Sequence, residues 1–318
     1  MLHLIRYQEE QKTYWGLVEG QAVRPLDLPC TTTAALLAVP RAELLKAAST
    51  TTPKALVDLQ LLSPITKPQQ VLCQGTNYRQ HMLESGVDPD AQNFNLFFTK
   101  SSTSVCGPTG SILRPAHVRL LDYEIELTLV LGKHTSGTQK ITATNLHEYV
   151  AGICIGNDIS ARDIQIPQMQ FHKGKSYRTF CPLGPVLCLL EQKDMHYLDE
   201  LQLELRVNGA IRQQDNTRNM VFKPAATLAE YSQICDFNPG DVLLTGTPAG
   251  CALSIPSPLL VRIASLLPEQ KKWQLFIKKQ LSVSKYLNLG DKVESRIFSS
   301  DGKLDLGVQS HSISSAPL

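Results

Sequence analysis

Asp122, Glu124 and Glu126 stand at every second position of an otherwise apolar stretch running from Leu121 to Gly132. Side chains of an extended strand alternate between its two faces. One strand here therefore puts three carboxylates on one face and Tyr123, Ile125, Leu127, Leu129 and Leu131 on the other. Like charges at neighbouring same-face positions repel, burial sharpens the repulsion, and a cation must relieve it. Two arrangements supply that cation: a solvated acidic edge met by Lys or Arg from an adjoining strand, or a divalent metal held by hard oxygen ligands. A further carboxylate, Asp158, follows the small-residue apolar run Ala151 to Asn157, where it either caps the next element or adds a metal ligand. His81 and Glu84 lie three residues apart on a short predicted helix and share a face. They read as a surface contact or as an imidazole oriented by a carboxylate for proton transfer.

The elements that must position these groups are mostly strands. Residues 1–62 read as a small N-terminal α+β domain, with strands over Met1 to Tyr7 and Thr13 to Val23. An Ala/Leu-rich helix over Thr31 to Ser49 is interrupted at Pro40. Ser63 to Pro68 is a stiff joint, and a second domain over residues 68–312 follows. It opens with a buried strand, Gln70 to Gln74, and a short helix that Asn77 caps and Gly86 ends. Leu96 to Thr99 is a strand and Ser101 to Pro115 a Ser/Gly/Pro loop. Leu201 to Val207 alternates into the hairpin signal Asn208-Gly209, Thr227 to Cys235 is helical, and a last strand spans Lys292 to Phe298. Between them, residues about 251–288 carry a basic amphipathic pattern around Trp273, Phe276 and Ile277.

Composition narrows the function classes. With 318 residues, 42% hydrophobic and 19% charged, the chain is an ordinary globular protein. A net charge of +2 with scattered Lys and Arg predicts neither nucleic acid nor membrane partners. The eight cysteines show no metal-type spacing, and Cys181, beside Pro182, reads as a buried turn thiol. With no leader and no long apolar run, a cytoplasmic, reduced protein is expected. No GxGxxG or P-loop occurs, so no nucleotide cofactor is expected.

In order along the chain, Gly75-Thr76-Asn77-Tyr78 with His81 and Glu84, Leu121 to Leu127, Asn157 to Asp163, Gly174-Lys175-Ser176, Phe180 to Pro185, Val207-Asn208-Gly209 and Leu244 to Gly250 resemble the fumarylacetoacetate hydrolase superfamily. The resemblance implies an α+β, mainly β fold: a mixed β-roll or sandwich of the fumarylacetoacetase C-terminal type, forming a homodimer. It implies Mg2+ or Mn2+ bound by Glu124, Glu126 and Asp158, with Asp122 structural. A 2-oxo acid would be the small-molecule substrate, with Lys175 near its oxygens and His81, oriented by Glu84, as the base. Arg162, Gln165 and Thr247 match pocket positions, Arg162 being equally readable as a structural ion pair. Two departures stand out: Ser101 replaces the proline usual after the Lys100 position, which leaves Lys100 without an assigned role, and the 251–288 segment is long. The implied activity is cleavage of a C–C bond in 2,4-dioxo acids of the acylpyruvate type. A lyase or isomerase acting on a similarly bound 2-oxo acid is the alternative, and a non-enzymatic binding scaffold is a third reading.

Overall fold

The computed structural model describes residues 1–254, 262 and 266–317. Strands dominate, as the sequence pattern predicts, and among the described residues they form two main sheets. The larger is mixed and has eleven strands. Its centre is Ile125–Leu131, which pairs antiparallel with Val150–Asn157 on one side and with Val242–Leu244 on the other. Val71–Gly75 then adds parallel to Val242–Leu244, and Leu96–Lys100 closes that edge. The smaller sheet runs Ala210–Asn216, Leu201–Val207, Lys292–Ser299, Asp305–Ser315 and Thr109–Arg114.

Apolar alternation explains how the two sheets stack. Leu201, Leu203, Leu205 and Val207 of the smaller sheet share one buried cluster with Ile125, Leu127 and Leu129 of the larger. The opposite face of the larger sheet is also covered: Val130, Cys154, Cys73 and Leu244 belong to a second cluster, which the N-terminal Leu4, Trp15, Leu36 and Leu44 complete. A strand covered on both faces is hydrophobic throughout except where function needs polar groups, and Ile125–Leu131 is buried at every position.

The N-terminal strands Leu2–Glu9, Lys12–Glu19 and Ala22–Pro25 continue the larger sheet through the pairing of Leu2–Glu9 with Val186–Leu189. The helix expected over Thr31 to Ser49 divides at Pro40 into Thr33–Leu37, capped by Thr32, and Arg41–Ser49. Elsewhere the structure corrects the sequence expectations. Leu121 to Gly132 is two strands, Leu121–Asp122 and Ile125–Leu131, with a break at Tyr123 and Glu124. The loop expected over Ser101 to Pro115 contains the strand Thr109–Arg114, which pairs parallel with Asp305–Ser315. Its Gly and Ser positions face outward and so leave no apolar periodicity to read. The expected Thr227 to Cys235 helix is Pro224–Tyr231, begun early by a proline at its first turn. In the 251–288 segment the basic helix is Glu269–Leu281, while residues 255–261 and 263–265 lie outside the described set.

Candidate active site

The break at Tyr123 and Glu124 builds the site. There the ladder between Ile125–Leu131 and Val150–Asn157 ends, and Asn157 replaces it with its side chain: its Oδ1 accepts from the Glu124 N–H at 3.0 Å. The Asp158 N–H donates to the Glu124 carbonyl at 2.8 Å. These bonds bring two strand ends side by side, and one oxygen each of Glu124, Glu126 and Asp158 falls within 4.8 Å of the others. All three residues are buried. The acidic face is therefore not a solvated edge, although Lys and Arg do meet it.

Glu126 is fixed from the segment after Val242–Leu244. The Thr245 and Thr247 hydroxyls each donate at 2.8 Å to backbone carbonyls, Leu127 and Ile125 respectively, so the segment straddles the strand. Between them the Gly246 N–H donates to Glu126 Oε2 at 2.7 Å. Gly246 has φ +89°, and a Cβ there would lie 2.9 Å from the Asn77 Cβ, so glycine is required. Asn77 is consequently not the helix cap expected from sequence. Its side chain is buried and bonds the Thr245 carbonyl and both backbone groups of Phe222. The short helix Arg79–Glu84 begins without a side-chain cap.

Three cations meet the acidic groups. Arg162 donates to Asp122 at 2.8 Å, to Glu124 at 2.5 Å and to Gln165 Oε1 at 2.8 Å, so it holds both strand pieces to its own helix, Arg162–Gln168. Lys175 donates to Glu124 at 2.5 Å and to Asp158 at 2.6 Å. It reaches them because Gly174 lets the helix Phe171–Lys175 approach closely: a Cβ at Gly174 would meet the Gln165 backbone at 2.8–2.9 Å. Lys100 donates to Asp158 Oδ1 at 2.5 Å and to the Ile159 carbonyl at 3.3 Å, and is fully buried. Sequence reasoning left Lys100 aside because Ser101 follows it. In the structure the Ser101 N–H donates to Ser176 Oγ at 2.9 Å, a bond that proline cannot make, and it ties the Lys100 strand end to the residue after Lys175. An apolar strand ending in lysine was the available signal.

Charge bookkeeping favours one more cation. Asp122 is satisfied by Arg162 and by the N–H groups of Tyr123, Ala252 and Leu253, which gives it the structural role expected. Burial opposes ionisation of Glu124, but Arg162 and Lys175 together hold its carboxyl below the usual range. Glu126 has no ion-pair partner among the described residues, and burial with Asp158 and Glu124 beside it pushes its carboxyl well above the usual range. A cluster of hard oxygen donors with one uncompensated carboxylate fits a hard divalent cation.

The acidic cluster opens into a cavity of about 570 Å³ that His81, Arg162, Gln165, Lys175 and Thr247 also line. Every candidate site residue from the sequence therefore reaches this region except Glu84, whose Oε2 accepts from the Gly250 N–H at 3.3 Å on the exposed side. The expected hydrogen bond from Glu84 to His81 is not formed: His81 Nδ1 is buried without a partner. Burial, the largest influence, pushes the imidazole below 6.5, so it is neutral at pH 7. Cys251, not predicted as a site residue, places its Sγ 3.8 Å from Glu124 and within the same 4.8 Å cluster as His81. Its segment carries no metal-type spacing that would have exposed it. Among the described residues no helix is long and apolar enough to cross a membrane.

Residues 70–310 match the model of the fumarylacetoacetate (FAA) hydrolase C-terminal family. The rat mitochondrial oxaloacetate tautomerase Fahd2a is 39% identical over 203 residues, 63% of this chain and 62% of that protein. The chain thus spans less than two thirds of that relative's length. Oxaloacetate tautomerase YisK of Bacillus subtilis is 37% identical over 212 residues, 65% of this chain and 68% of that one. Among solved structures, fumarylacetoacetate hydrolase from Exiguobacterium antarcticum superposes with a TM-score of 0.75 at 25% identity, covering 99% of this chain and 100% of that one. A probable 2-hydroxyhepta-2,4-diene-1,7-dioate isomerase from Mycobacterium abscessus superposes with a TM-score of 0.74 at 28% identity, covering 100% and 99%. The buried carboxylate cluster, the two-sheet β architecture and the match over most of the chain lead to one conclusion: the protein belongs to the fumarylacetoacetate hydrolase superfamily.

Proposed function

We propose that this chain is a divalent-metal-dependent isomerase of 2-oxo acids that interconverts their keto and enol forms. The observation that carries the reading is the His81 imidazole, which lines the same cavity as the carboxylate cluster and whose Nδ1 is buried with no hydrogen bond from Glu84 or any other partner. Moving one proton between C3 and the 2-oxo oxygen needs a neutral base and stabilisation of the negative charge on oxygen. Hydrolysis of a C–C bond also needs a base held in line to activate water, and Glu84, the expected orienting group, is engaged at Gly250. The isomerase reading also agrees with the names of the rat and Bacillus relatives. It displaces the dioxo-acid hydrolase expected from sequence to second place.

Glu124, Glu126 and Asp158 would hold Mg2+ or Mn2+, whose Lewis acidity lowers the energy of negative charge on the 2-oxo oxygen. The remaining work falls to the chain itself. His81 takes the C3 proton at a ring nitrogen, breaking the C–H bond; the electron pair moves to the 2-oxo oxygen, and the imidazolium then returns the proton to that oxygen to complete the enol. Lys175, which donates to Glu124 and Asp158, would give its remaining N–H to that oxygen. Thr247 and Gly246 keep Glu126 in place, and Arg162 with Gln165 keeps Glu124 in place.

The test follows C3–H exchange into deuterated water by NMR for a series from oxaloacetate to phenylpyruvate, with Mg2+ and with chelator. Pyruvate release from acetylpyruvate is measured alongside. Metal-dependent exchange that His81→Ala abolishes, without pyruvate release, is the expected result. Pyruvate release in the absence of accelerated exchange would return the hydrolase to first place.

A further inference from the structure

Resting on the 2-oxo acid reading above, we infer that the substrate carries a single carboxylate and an apolar, ring-sized substituent on C3. The cavity joins Glu124, Glu126 and Asp158 to an apolar set, Val87, Phe94, Leu96, Phe98 and Phe171. The two sets meet at an aromatic step, where the Lys175 Nζ lies 5.1 Å from the Phe98 ring centroid and the Phe98 and Phe171 rings are 5.3 Å apart. Whatever is attached to C3 of an acid held at the carboxylates therefore leaves along aromatic and aliphatic surface.

A second carboxylate on that side would need a cation or several donors to replace its water. Among the described residues lining the cavity the strongly basic side chains are Arg162 and Lys175, and both stand at the acidic end, on Asp122, Glu124 and Asp158. Gln92 donates its amide to the Phe94 carbonyl. The remaining carboxylate of the lining is Asp88, which repels an anion. Phe94 lines the cavity while 57% exposed, as befits a mouth residue awaiting an apolar group. The volume of about 570 Å³ lies in the range that encloses a drug-sized ligand, and so leaves room for a ring beyond the 2-oxo acid head.

A matched pair of non-enolisable mimics tests this without turnover. N-benzyloxamate and N-oxalylglycine share the 2-oxo acid head and differ in carrying a phenyl ring or a carboxylate. Calorimetric titration into the full chain loaded with Mg2+, confirmed by its rise in Tm, is expected to show N-benzyloxamate binding at least about tenfold tighter, from burial of the ring. Phe94→Arg, at an exposed position that tolerates substitution, is expected to narrow or reverse that ratio, and Phe98→Ala to weaken the benzyl compound alone. N-oxalylglycine binding as tightly or tighter overturns the inference while leaving the 2-oxo acid reading in place. Unchanged affinities in Phe94→Arg also overturn it. If neither oxamate binds the Mg2+-loaded protein, the 2-oxo acid reading itself fails, and the inference with it.

Discussion

Replacing Glu126 by glutamine should move stability in opposite directions with and without metal. Glu126 has the Gly246 N–H at 2.7 Å but no cation, and its neighbours Asp158 and Glu124 are like-charged. Glutamine keeps the shape and an oxygen to accept from Gly246, and is neutral without taking up a proton. Up to the ambient pH, each pKa unit by which the fold raises a carboxyl costs about 1.4 kcal/mol; taking about 1–2 kcal/mol at roughly 2 °C per kcal/mol for a chain of this size, the metal-free variant should melt some 2–4 °C above wild type. The metal should act the other way. A ligand at a hundredfold excess over its Kd stabilises by about 2.7 kcal/mol, or roughly 5 °C here, and Glu126→Gln should lose most of that rise. The pH dependence has a definite sign. Burial raises the Glu126 carboxyl above its unfolded value, so the folded state binds the extra proton. Metal-free stability from this group is present below the ordinary carboxylate range and falls as pH rises through the raised value. Metal entry displaces that proton, so the metal-induced rise in Tm grows with pH; glutamine flattens both trends. Scanning calorimetry with chelator and with Mg2+, at several pH values, measures all of this. A metal-free variant that melts below wild type, or one that keeps the full Mg2+ response, would refute the uncompensated-carboxylate argument.

Three other outcomes follow from the same geometry. Lys100→Met leaves Asp158 Oδ1 without its buried partner, and breaking such a pair costs about 3–5 kcal/mol; chemical denaturation should show a loss of that size. Ser101→Pro removes the N–H bonded to Ser176 Oγ and should cost about 1 kcal/mol with a drop in kcat as Lys175 loses its tether, read from denaturation and exchange kinetics together. For His81, burial lowers the imidazole pKa, so the neutral base persists below pH 6.5. The kcat/KM profile should rise with pH along a limb centred below 6.5 and then level off. His81→Gln should lower activity and erase that limb, and an unchanged profile would remove His81 from proton transfer.

Period-two patterning and residue chemistry determined a good deal by themselves. The carboxylates at alternate positions implied a shared face with a missing cation, and the small-residue run before Asp158 placed a further acid at a strand end. The same alternation predicted the strand Leu201–Val207, because each face of that strand meets a different environment. Tertiary structure decided what local pattern cannot encode. It divided Leu121 to Gly132 at Glu124, because Asn157, thirty-three residues on, supplies the hydrogen bond that ends the ladder. It brought Lys100 and Lys175 onto opposite oxygens of Asp158, a convergence of three separate elements that leaves no spacing in the chain. It turned Asn77 from a cap into a clamp between Thr245 and Phe222, since a buried amide must satisfy donors and acceptors wherever the fold presents them. And it separated Glu84 from His81: helical spacing puts two side chains on one face, but burial of one and exposure of the other sent the imidazole into the cavity and the carboxylate to Gly250.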